Sequence, residues 1–399
     1  MTAAHDVNVP ASWTTWCEVS APALANNCRE LRRRVGPDVL LGVVVKSDAY
    51  GHGAVAASEV LLAAGADWLI VNALNEAERL RAAGQQAPIY VCGPVLPAQA
   101  ERVVAADVRI VVYERSLVDA VAQAACGSGR QVGVHLKVET GNHRQGLAIE
   151  AGLALAQHIA DTEGVWLEGV TTHYADIEDT TDHRFAMGQL SAFSQACARL
   201  QDAGFSAPLA HSANSAATIL WPKTHGGLVR PGIATYGLWP SSETHAVAVA
   251  LSGQGGDHEG RGGFLPDLQP ALSWRARIAQ VKSVPVGAYI GYGRTFRATH
   301  PMRVAVLPMG YYEGYDRRLS NLGHVLIDGQ RAPVRGRVCM NMTMVDVTHI
   351  GGVAVGDVAT LLGNDGDEAV SAETLAGWMG SINYEVVSRI HPVVPRLLV

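Results

Sequence analysis

The sequence predicts an α/β protein made of an N-terminal (β/α)8 barrel of the TIM type and a C-terminal, predominantly β domain. Eight short apolar runs rich in β-branched residues recur within the first 240 residues. Most of them are separated by stretches of Ala, Leu, Glu and Arg with helical spacing, a pattern typical of parallel strands covered by helices. Eight such units favour a barrel over the alternative, a doubly wound open sheet. After residue 240 the pattern changes to alternating runs between turn residues, which indicates an antiparallel β domain.

The eight apolar runs are assigned to the barrel strands in chain order. They are residues 39–45, 67–71, 88–93, 109–113, 132–138, 167–174, 209–215 and 228–236. The intervening helical patterns include residues 54–64, 74–83 and 189–203.

The second domain is predicted to follow a flexible border at residues 241–270, which contains a Gly-rich insertion near 250–264. Its strands are expected at 272–284, 302–308, 324–327, 342–347 and 357–362, and a helix at 372–379 is expected to begin after Ser371 as N-cap. We therefore divide the chain into residues 1–245, the barrel, and residues 246–399, the β domain. Residues 13–19 alternate like a strand and are expected to pair with the β domain.

Composition excludes several classes of protein. Of the 399 residues, 48% are hydrophobic and 17% are charged, against a typical charged share of about 25%, so a disordered chain is not expected. The net charge of −6 does not suggest a nucleic-acid partner. No run approaches the roughly 18 apolar residues of a membrane span, and no secretory signal is recognisable, so a cytoplasmic location is expected. The six cysteines are scattered without a CxxC pair, so neither a metal site nor a disulfide framework is predicted.

The end of the first barrel strand carries the first candidate for chemistry. Lys46 follows three valines and precedes Tyr50 and the Gly51–Gly53 turn. A lysine at the carboxyl end of a barrel strand points toward the mouth, where barrel active sites lie. Burial there lowers the pKa of an amine and makes it a better nucleophile or base. An ordinary surface lysine is the alternative when Lys46 is considered alone.

Four more strand ends carry reactive or anion-binding groups. They are Lys137 and Arg144 after the fifth strand, His173 after the sixth, Ser212, Asn214 and Ser215 after the seventh, and Arg230 and Gly232 after the eighth. Loops after the last two strands of a barrel commonly hold phosphate. A lysine at one strand end and a phosphate site opposite it describe a site for pyridoxal 5′-phosphate (PLP).

Nine motifs together make the sequence resemble the alanine racemase family of PLP enzymes. They are VVVKSDAYGHG, LKVETGNHRQG, TTHYAD, NSAAT, VRPGIATYG, GYGRTF, GYYEGYDRRLSN, GRVCMN and INYEV, in this order over about residues 13–390. The resemblance implies a barrel, a C-terminal β domain and a homodimer in which each site is completed by the other subunit. It also implies an isomerase that interconverts L- and D-alanine, in the cytoplasm, as a supply of D-alanine for peptidoglycan precursors. A role in amino acid catabolism stays open.

The resemblance also implies a role for each matching residue. Lys46 holds PLP covalently and is one base, and Tyr292 of the partner subunit is the opposite base. Arg230 faces the pyridine nitrogen with support from His173, Arg144 contacts the phenolic oxygen, and Lys137 stands where the family often carries a carbamylated lysine. The remaining cofactor contacts are Tyr50, Asn214, Ser215, Gly232, Ile233 and Tyr384. Substrate-binding residues are Arg144, the backbone of Met340, and Tyr311, Arg317 and Arg337 along the access channel.

Four departures from the family pattern leave alternatives open. Asn341 stands where Asp is usual, and residues 142–145 replace the usual Met-x-Arg-Leu. The acidic residue at the inner gate is either Glu178 or Asp179, and the Gly-rich insertion is longer than is common. A broad-specificity or serine racemase is therefore an alternative to an alanine racemase. A barrel-type PLP decarboxylase and a non-catalytic PLP-binding protein are disfavoured, the first by Tyr292 and the Lys137/Arg144 pair, the second by the C-terminal domain.

Overall fold

A computed structural model describes residues 9–207, 209–253 and 264–399. The chain divides into two compact units. The barrel unit comprises Ala23–Ala49 and Ala54–Gln269, and the β unit comprises Pro270–Val399, the chain up to Pro22, and Tyr50–Gly53. Most of the predicted Gly-rich insertion, residues 254–263, lies outside the described residues.

The strands of the described chain are numbered in chain order. They are β1 (Thr15–Val19), β2 (Leu40–Val44), β3 (Trp68–Val71), β4 (Ile89–Val91), β5 (Arg109–Val112), β6 (Val132–Lys137), β7 (Val165–Thr171), β8 (Leu209–His211), β9 (Leu228–Val229), β10 (Leu272–Arg277), β11 (Gln280–Val284), β12 (Tyr289–Ile290), β13 (Phe296–Arg297), β14 (Met302–Leu307), β15 (His324–Ile327), β16 (Gln330–Pro333), β17 (Thr343–Asp346), β18 (Val358–Asp365), β19 (Glu368–Val370) and β20 (Arg396–Leu398).

The helices are numbered in the same way. They are α1 (Ala21–Val35), α2 (Ala54–Ala63), α3 (Leu74–Ala82), α4 (Ala100–Ala105), α5 (Arg115–Gly127), α6 (Ile149–Ala160), α7 (Arg184–Asp202), α8 (Ser215–Leu220), α9 (Ser242–Ser252), α10 (Ala372–Met379) and α11 (Asn383–Ser388). Within the described residues, no helix combines the length and the apolar character that crossing a membrane requires.

The barrel unit confirms the predicted eight-stranded parallel sheet. Its strand order is β8-β7-β6-β5-β4-β3-β2-β9, with parallel pairing between neighbours. The amide of Gly227 donates to Ala210 and that of Arg230 to Ala213, which links the two edge strands and nearly closes the barrel. Every residue of β3, β4 and β6 is buried, as expected for strands covered on both sides.

The β unit contains mainly antiparallel sheets. The largest has the strand order β16-β15-β18-β10-β1-β20, and β1 pairs with β10 antiparallel and with β20 parallel. A three-stranded sheet has the order β11-β14-β17, and β12 pairs with β13. The alternating burial of β10 places every second side chain in the core.

Several sequence predictions are wrong in detail. The strand predicted over 272–284 is two strands, β10 and β11, in different sheets, and the seventh barrel strand, predicted over 209–215, ends at His211 and is followed by α8. The border predicted to be an open loop from residue 241 begins with the helix α9, where the Oγ of Ser241 accepts from the amide of Thr244 at 2.9 Å. The eighth strand, predicted over 228–236, consists of two residues followed by a 3-10 helix at Ile233–Tyr236. At the border, the cap at Ser241 begins a helix, and at the eighth strand the 3-10 turn overrides the β-branched composition of the run.

Candidate active site

Lys46 begins a left-handed helical turn directly after β2. Ser47, Asp48, Ala49 and Tyr50 have φ angles of 54°, 55°, 55° and 53°. This conformation costs roughly 1–2 kcal/mol per L-residue, so four in succession require support from the surrounding structure.

That support comes from α2 and α3. The Asp48 carboxylate accepts from the amide of Ala54 at 2.9 Å and forms an ion pair with Arg79. The amide of Ser47 donates to Glu76 at 2.5 Å. These contacts hold the turn on both sides and fix where the backbone of Lys46 leaves the barrel strand.

A group of positive side chains meets at the carboxyl ends of β2, β6 and β9. The pKa of Lys137 is lowered to about 7, mainly by burial and next by the positive charge of Arg230. Burial also lowers the pKa of His173 well below its usual value, and four cations lower it further. These cations are Lys137, Arg230, Arg144 and Lys46. The structure thus brings five of the predicted residues close enough to interact electrostatically.

The loop after β6 is stabilised by hydrogen bonds to the carboxylate of Glu139, which lies within it. Glu139 accepts from the amides of Gly141 at 2.5 Å and Asn142 at 2.6 Å. The Asn142 side chain donates to the carbonyl of Tyr174 at 3.2 Å. The polar residue at position 142, one of the departures from the family pattern, therefore ties this loop to the end of β7, while Arg144 remains exposed.

Arg230 is 8% exposed and is held by three acceptors. Its guanidinium donates to the Nδ1 of His211 at 2.5 Å, to the carbonyl of Thr172 at 2.8 Å and to the carbonyl of Ser212 at 3.3 Å. We expected His173 to support Arg230, but the imidazole that accepts its hydrogen bond is His211. Toward His173, the charge of Arg230 helps to lower the pKa of the imidazole.

Ser215 lies at the start of α8 and is 4% exposed. Its Oγ accepts from the amides of Gly232 at 2.8 Å and Ala234 at 3.3 Å. Among the described residues no acceptor is found for the Ser215 hydroxyl proton, which stays available to an anion. The amide of Gly232, predicted to contact phosphate, is used here to orient this hydroxyl.

Asn214 has two structural partners. Its Oδ1 accepts from the amide of Ala217 at 3.0 Å as the N-cap of α8, and its Nδ2 donates to Glu178 at 3.1 Å. Burial raises the pKa of Glu178. Of the two candidates for the inner gate, Glu178 contacts a predicted site residue, whereas Asp179 is exposed.

In the β unit, Tyr292 projects from a short turn after β12. It is 74% exposed and lies between Gly291 and Gly293, whose φ angles are 75° and 72°. A Cβ at Gly291 would lie 2.8 Å from Met344, and one at Gly293 would lie 2.9 Å from the guanidinium of Arg337. The positive φ angles favour glycine at both positions, and Arg337 packs beside the segment that carries Tyr292.

Met340 lies on a loop that is fastened to residues 310–313. The amide of Tyr311 donates to the Cys339 carbonyl at 3.0 Å, and the amide of Tyr312 donates to the Met340 carbonyl at 2.9 Å. The Asn341 side chain donates to the buried Glu313 at 2.7 Å. An amide at position 341 is therefore matched to a carboxylate at position 313.

Tyr50 and Tyr384 also come together in the β unit, with ring centroids 6.1 Å apart. Arg317, also in the β unit, is exposed at the start of a 3-10 helix, Arg317–Leu319. Ile233 is buried in the barrel unit. The predicted residues thus form one group in the barrel unit and a second group in the β unit.

Three buried polar residues of the barrel unit were missed by the sequence analysis. They are His135, Glu168 and His211, which extend the hydrogen bonding of Arg230 into the barrel. A signal was present, since each is a polar residue inside a strand that the pattern predicts to be buried on both faces.

The chain matches two protein families along most of its length. The family described as "Alanine racemase, N-terminal domain" matches residues 19–240, and "Alanine racemase, C-terminal domain" matches residues 271–398. The alanine racemase of Leptospira interrogans is 36% identical, over 99% of this chain and 100% of that protein. That of Methanococcus maripaludis is 38% identical, over 96% of this chain and 98% of that protein.

Solved structures agree with these matches. Alanine racemase from Bacillus anthracis with bound L-Ala-P has a TM-score of 0.88 at 33% identity, over 98% of this chain and 96% of that one. Alanine racemase from Streptomyces lavendulae has a TM-score of 0.87 at 32% identity, over 98% of both chains. A Bartonella henselae alanine racemase with covalently bound pyridoxal phosphate shares the fold at 24% identity, with a TM-score of 0.81 over 97% of this chain and 99% of that one. The chain therefore belongs to the alanine racemase family of isomerases.

Proposed function

We propose that the protein interconverts L- and D-alanine with PLP as cofactor, using Lys46 and Tyr292 as two bases in a homodimer with shared sites. The observation that carries the proposal is the position of Lys46. It leaves β2 on a supported left-handed turn, within a group of cations at the carboxyl ends of the barrel strands. The proposed role is the supply of D-alanine for peptidoglycan precursors.

The residues of the barrel unit suit PLP by their chemistry. The cofactor is an anion with a phosphate at one end and a phenolic oxygen at the other. The Ser215 hydroxyl, oriented by two amides, is a donor for the phosphate. Arg144 supplies positive charge for the phenolic oxygen, and the Lys46 amine is the nucleophile for its aldehyde. These residues would hold PLP, and Tyr50 and Tyr384 would add contacts to the phosphate.

Racemisation requires a base on each face of the substrate. PLP, when bound, delocalises the charge left on the α-carbon after the proton is removed. Lys46 takes or gives this proton on one face at its Nζ, and the phenolic oxygen of Tyr292 of the partner subunit does so on the other. Exposure of Tyr292 at 74% leaves its ring available to a second subunit.

Arg230 would face the pyridine nitrogen as a permanent hydrogen-bond donor. A guanidinium does not give up its proton in proteins, so the ring nitrogen stays unprotonated beside it. This weakens electron withdrawal by the ring, and we infer that it limits transamination and other side reactions.

Lys137 is proposed to be carbamylated. With a pKa lowered to about 7, much of its amine is neutral at pH 7–8 and reactive toward carbon dioxide. Bond formation between the Lys137 Nζ and the carbon of carbon dioxide would release one amine proton to solvent and leave a carbamate anion, which the cations Arg230 and Arg144 would stabilise.

The proposal is tested by measuring racemisation in both directions with alanine, serine, lysine and arginine. Alanine is expected to turn over fastest. Lys46→Ala should abolish turnover and the visible absorbance of the bound cofactor, and Tyr292→Phe should lower turnover in both directions while the cofactor stays bound. Tyr289→Phe, an exposed tyrosine three residues away, is the matched control. Full activity of Tyr292→Phe would refute the two-base mechanism.

A broad-specificity or serine racemase is the second candidate. It is favoured by Asn341, whose amide is paired with Glu313 beside the loop that presents Met340. If serine turns over faster than alanine in the same set of substrates, the protein is a serine or broad-specificity racemase and the first proposal is wrong.

A further inference from the structure

Inside the barrel, three buried side chains continue from Arg230 in a single line. His211, His135 and Glu168 are 0%, 0% and 5% exposed, and they lie on the neighbouring strands β8, β6 and β7. The Nη1 of Arg230 is 2.5 Å from the Nδ1 of His211. The Nε2 of His211 is 2.7 Å from the Nδ1 of His135, and the Nε2 of His135 is 3.2 Å from the Oε2 of Glu168.

The two ends of this line determine where each proton lies. Arg230 has no acceptor, so the Nδ1 of His211 must accept and its proton must be on Nε2. The Nδ1 of His135 then accepts from that proton, and His135 in turn carries its own proton on Nε2, toward Glu168. Burial lowers the pKa of both histidines, which keeps each ring neutral with one proton. All three hydrogen bonds therefore point from the guanidinium toward the carboxylate.

Aromatic rings pack against both histidines. The ring of Tyr90 lies 4.6 Å from that of His135 and 5.5 Å from that of His211, by centroids. At the far end, the Nε of Arg109 lies 3.4 Å from the Oε2 of Glu168, and Trp68 packs against the Arg109 guanidinium at 5.3 Å.

We propose that Glu168 and His135 are positioning residues for the reaction. They stabilise the His211 tautomer that Arg230 requires, and His211 in this tautomer holds the Arg230 guanidinium in one orientation toward the cofactor ring. The link to the cofactor depends on the function proposed above, whereas the proton positions do not. In a polar core that merely satisfies its hydrogen bonds, the orientation of Arg230 would not depend on Glu168, which is three hydrogen bonds away.

Two substitutions at position 168 distinguish a positioning role from a polar core that only satisfies its hydrogen bonds. In Glu168→Gln, the amide oxygen can accept from His135, and it must do so because Arg230 forces the direction of the bonds. In Glu168→Leu the acceptor is lost, so the Nε2–H of His135 has no partner and the proton arrangement that Arg230 requires is less stabilised. Asp346→Leu removes another buried carboxylate, in the β unit, and serves as the control for a general loss of stability.

Neutron diffraction from holoenzyme crystals exchanged into D2O locates the protons directly. We expect deuterium on the Nε2 of both His135 and His211 and on neither Nδ1, in the wild type and in Glu168→Gln. Deuterium on either Nδ1 would overturn the proposal even if the protein proved inactive, so the outcome is separate from that of the proposed function.

Kinetics then test the positioning role. Glu168→Gln should keep kcat for alanine within about threefold of the wild type. Glu168→Leu should lower kcat by at least about tenfold, equivalent to about 1.4 kcal/mol. In Glu168→Leu the KM should be unchanged and the absorbance maximum of the cofactor should shift. Equal losses in the Gln and Leu variants, or a loss in Asp346→Leu as large as in Glu168→Leu, would overturn the role.

Discussion

At the scale of single residues, the most unusual group is Lys137. It is the last residue of a fully buried strand and is 9% exposed, and its neighbours Arg230 and Arg144 are also positive. A protonated amine in such a place destabilises the folded chain unless an anion joins it. We therefore expect the stability of the cofactor-free protein to depend on pH through this residue.

The sign follows from the two pKa values of Lys137. Its pKa is lowered from 10.5 in the unfolded chain to about 7 in the folded chain. Below pH 7 both states are protonated and the full burial cost is present. Above pH 7 the folded state loses its proton first, so the free energy of unfolding rises with pH until about pH 10, by at most about 1.4 kcal/mol per unit.

Chemical unfolding at pH 7 and pH 9, in buffer free of carbon dioxide, checks this prediction against Lys137→Met. Raising the pH from 7 to 9 should increase the free energy of unfolding of the wild type relative to that of Lys137→Met. Parallel pH dependences would show that Lys137 is not the responsible group.

Ser215 provides the second prediction at this scale. Ser215→Ala leaves the amides of Gly232 and Ala234 without their acceptor, which costs roughly 1–3 kcal/mol of stability, and it removes a donor to the phosphate. The Kd for PLP should rise by about tenfold or more. Ser58→Ala is the matched control, since Ser58 is buried but its Oγ has no partner among the described residues. Equal effects of the two substitutions on PLP titration would argue against a phosphate contact.

At the scale of elements, Tyr50–Gly53 is a short segment that packs within the β unit. Gly51 has a φ of 84°, and a Cβ there would collide with the carbonyl of Val387 in α11. The Arg396 side chain donates to the carbonyl of Gly51 at 2.9 Å and to three other carbonyls near the end of the chain. Gly51 is thus held by contacts within the β unit.

Gly51→Ala is therefore expected to reduce the free energy of unfolding by more than about 2 kcal/mol and to lower the melting temperature. The reason is that backbone strain at a positive φ and a collision with a backbone carbonyl both oppose the alanine. Gly188→Ala, in the helix α7 with no atom within 4 Å of the new Cβ, should raise stability by about 0.5–1 kcal/mol. Thermal unfolding of both variants checks the prediction. A neutral effect of Gly51→Ala would mean that the turn tolerates a different backbone path.

Elements with local signals could be predicted, and those held by tertiary contacts could not. The helix α10 has the predicted bounds because Ser371 caps it, with its Oγ accepting from the amide of Thr374 at 3.1 Å. The turn after Lys46 contains Ser, Asp, Ala and Tyr, none of them Gly, so nothing local indicates a left-handed conformation. Contacts from Glu76 and Arg79, about thirty residues away, decide it.

At the scale of the whole molecule, the proposed sharing of the site between subunits makes a complementation prediction. Lys46→Ala and Tyr292→Phe subunits are each expected to form inactive homodimers. A heterodimer of the two, purified through different affinity tags, contains one site with both bases and should have about half of the wild-type kcat per dimer. An inactive heterodimer would indicate that both bases come from one chain, as would an active monomer at nanomolar concentration in sedimentation experiments.

The sequence by itself determined the eight barrel strands, the β domain, the family and the positions of Lys46, Lys137, Arg230 and Tyr292. These features are encoded locally, in apolar runs, turn residues and contiguous motifs. Tertiary structure alone decided the handedness of the turn after Lys46, the low pKa of Lys137 and the line of hydrogen bonds from Arg230 to Glu168. The physical reason is that backbone strain, desolvation and proton direction depend on groups that are distant in the chain and meet only when the barrel is formed.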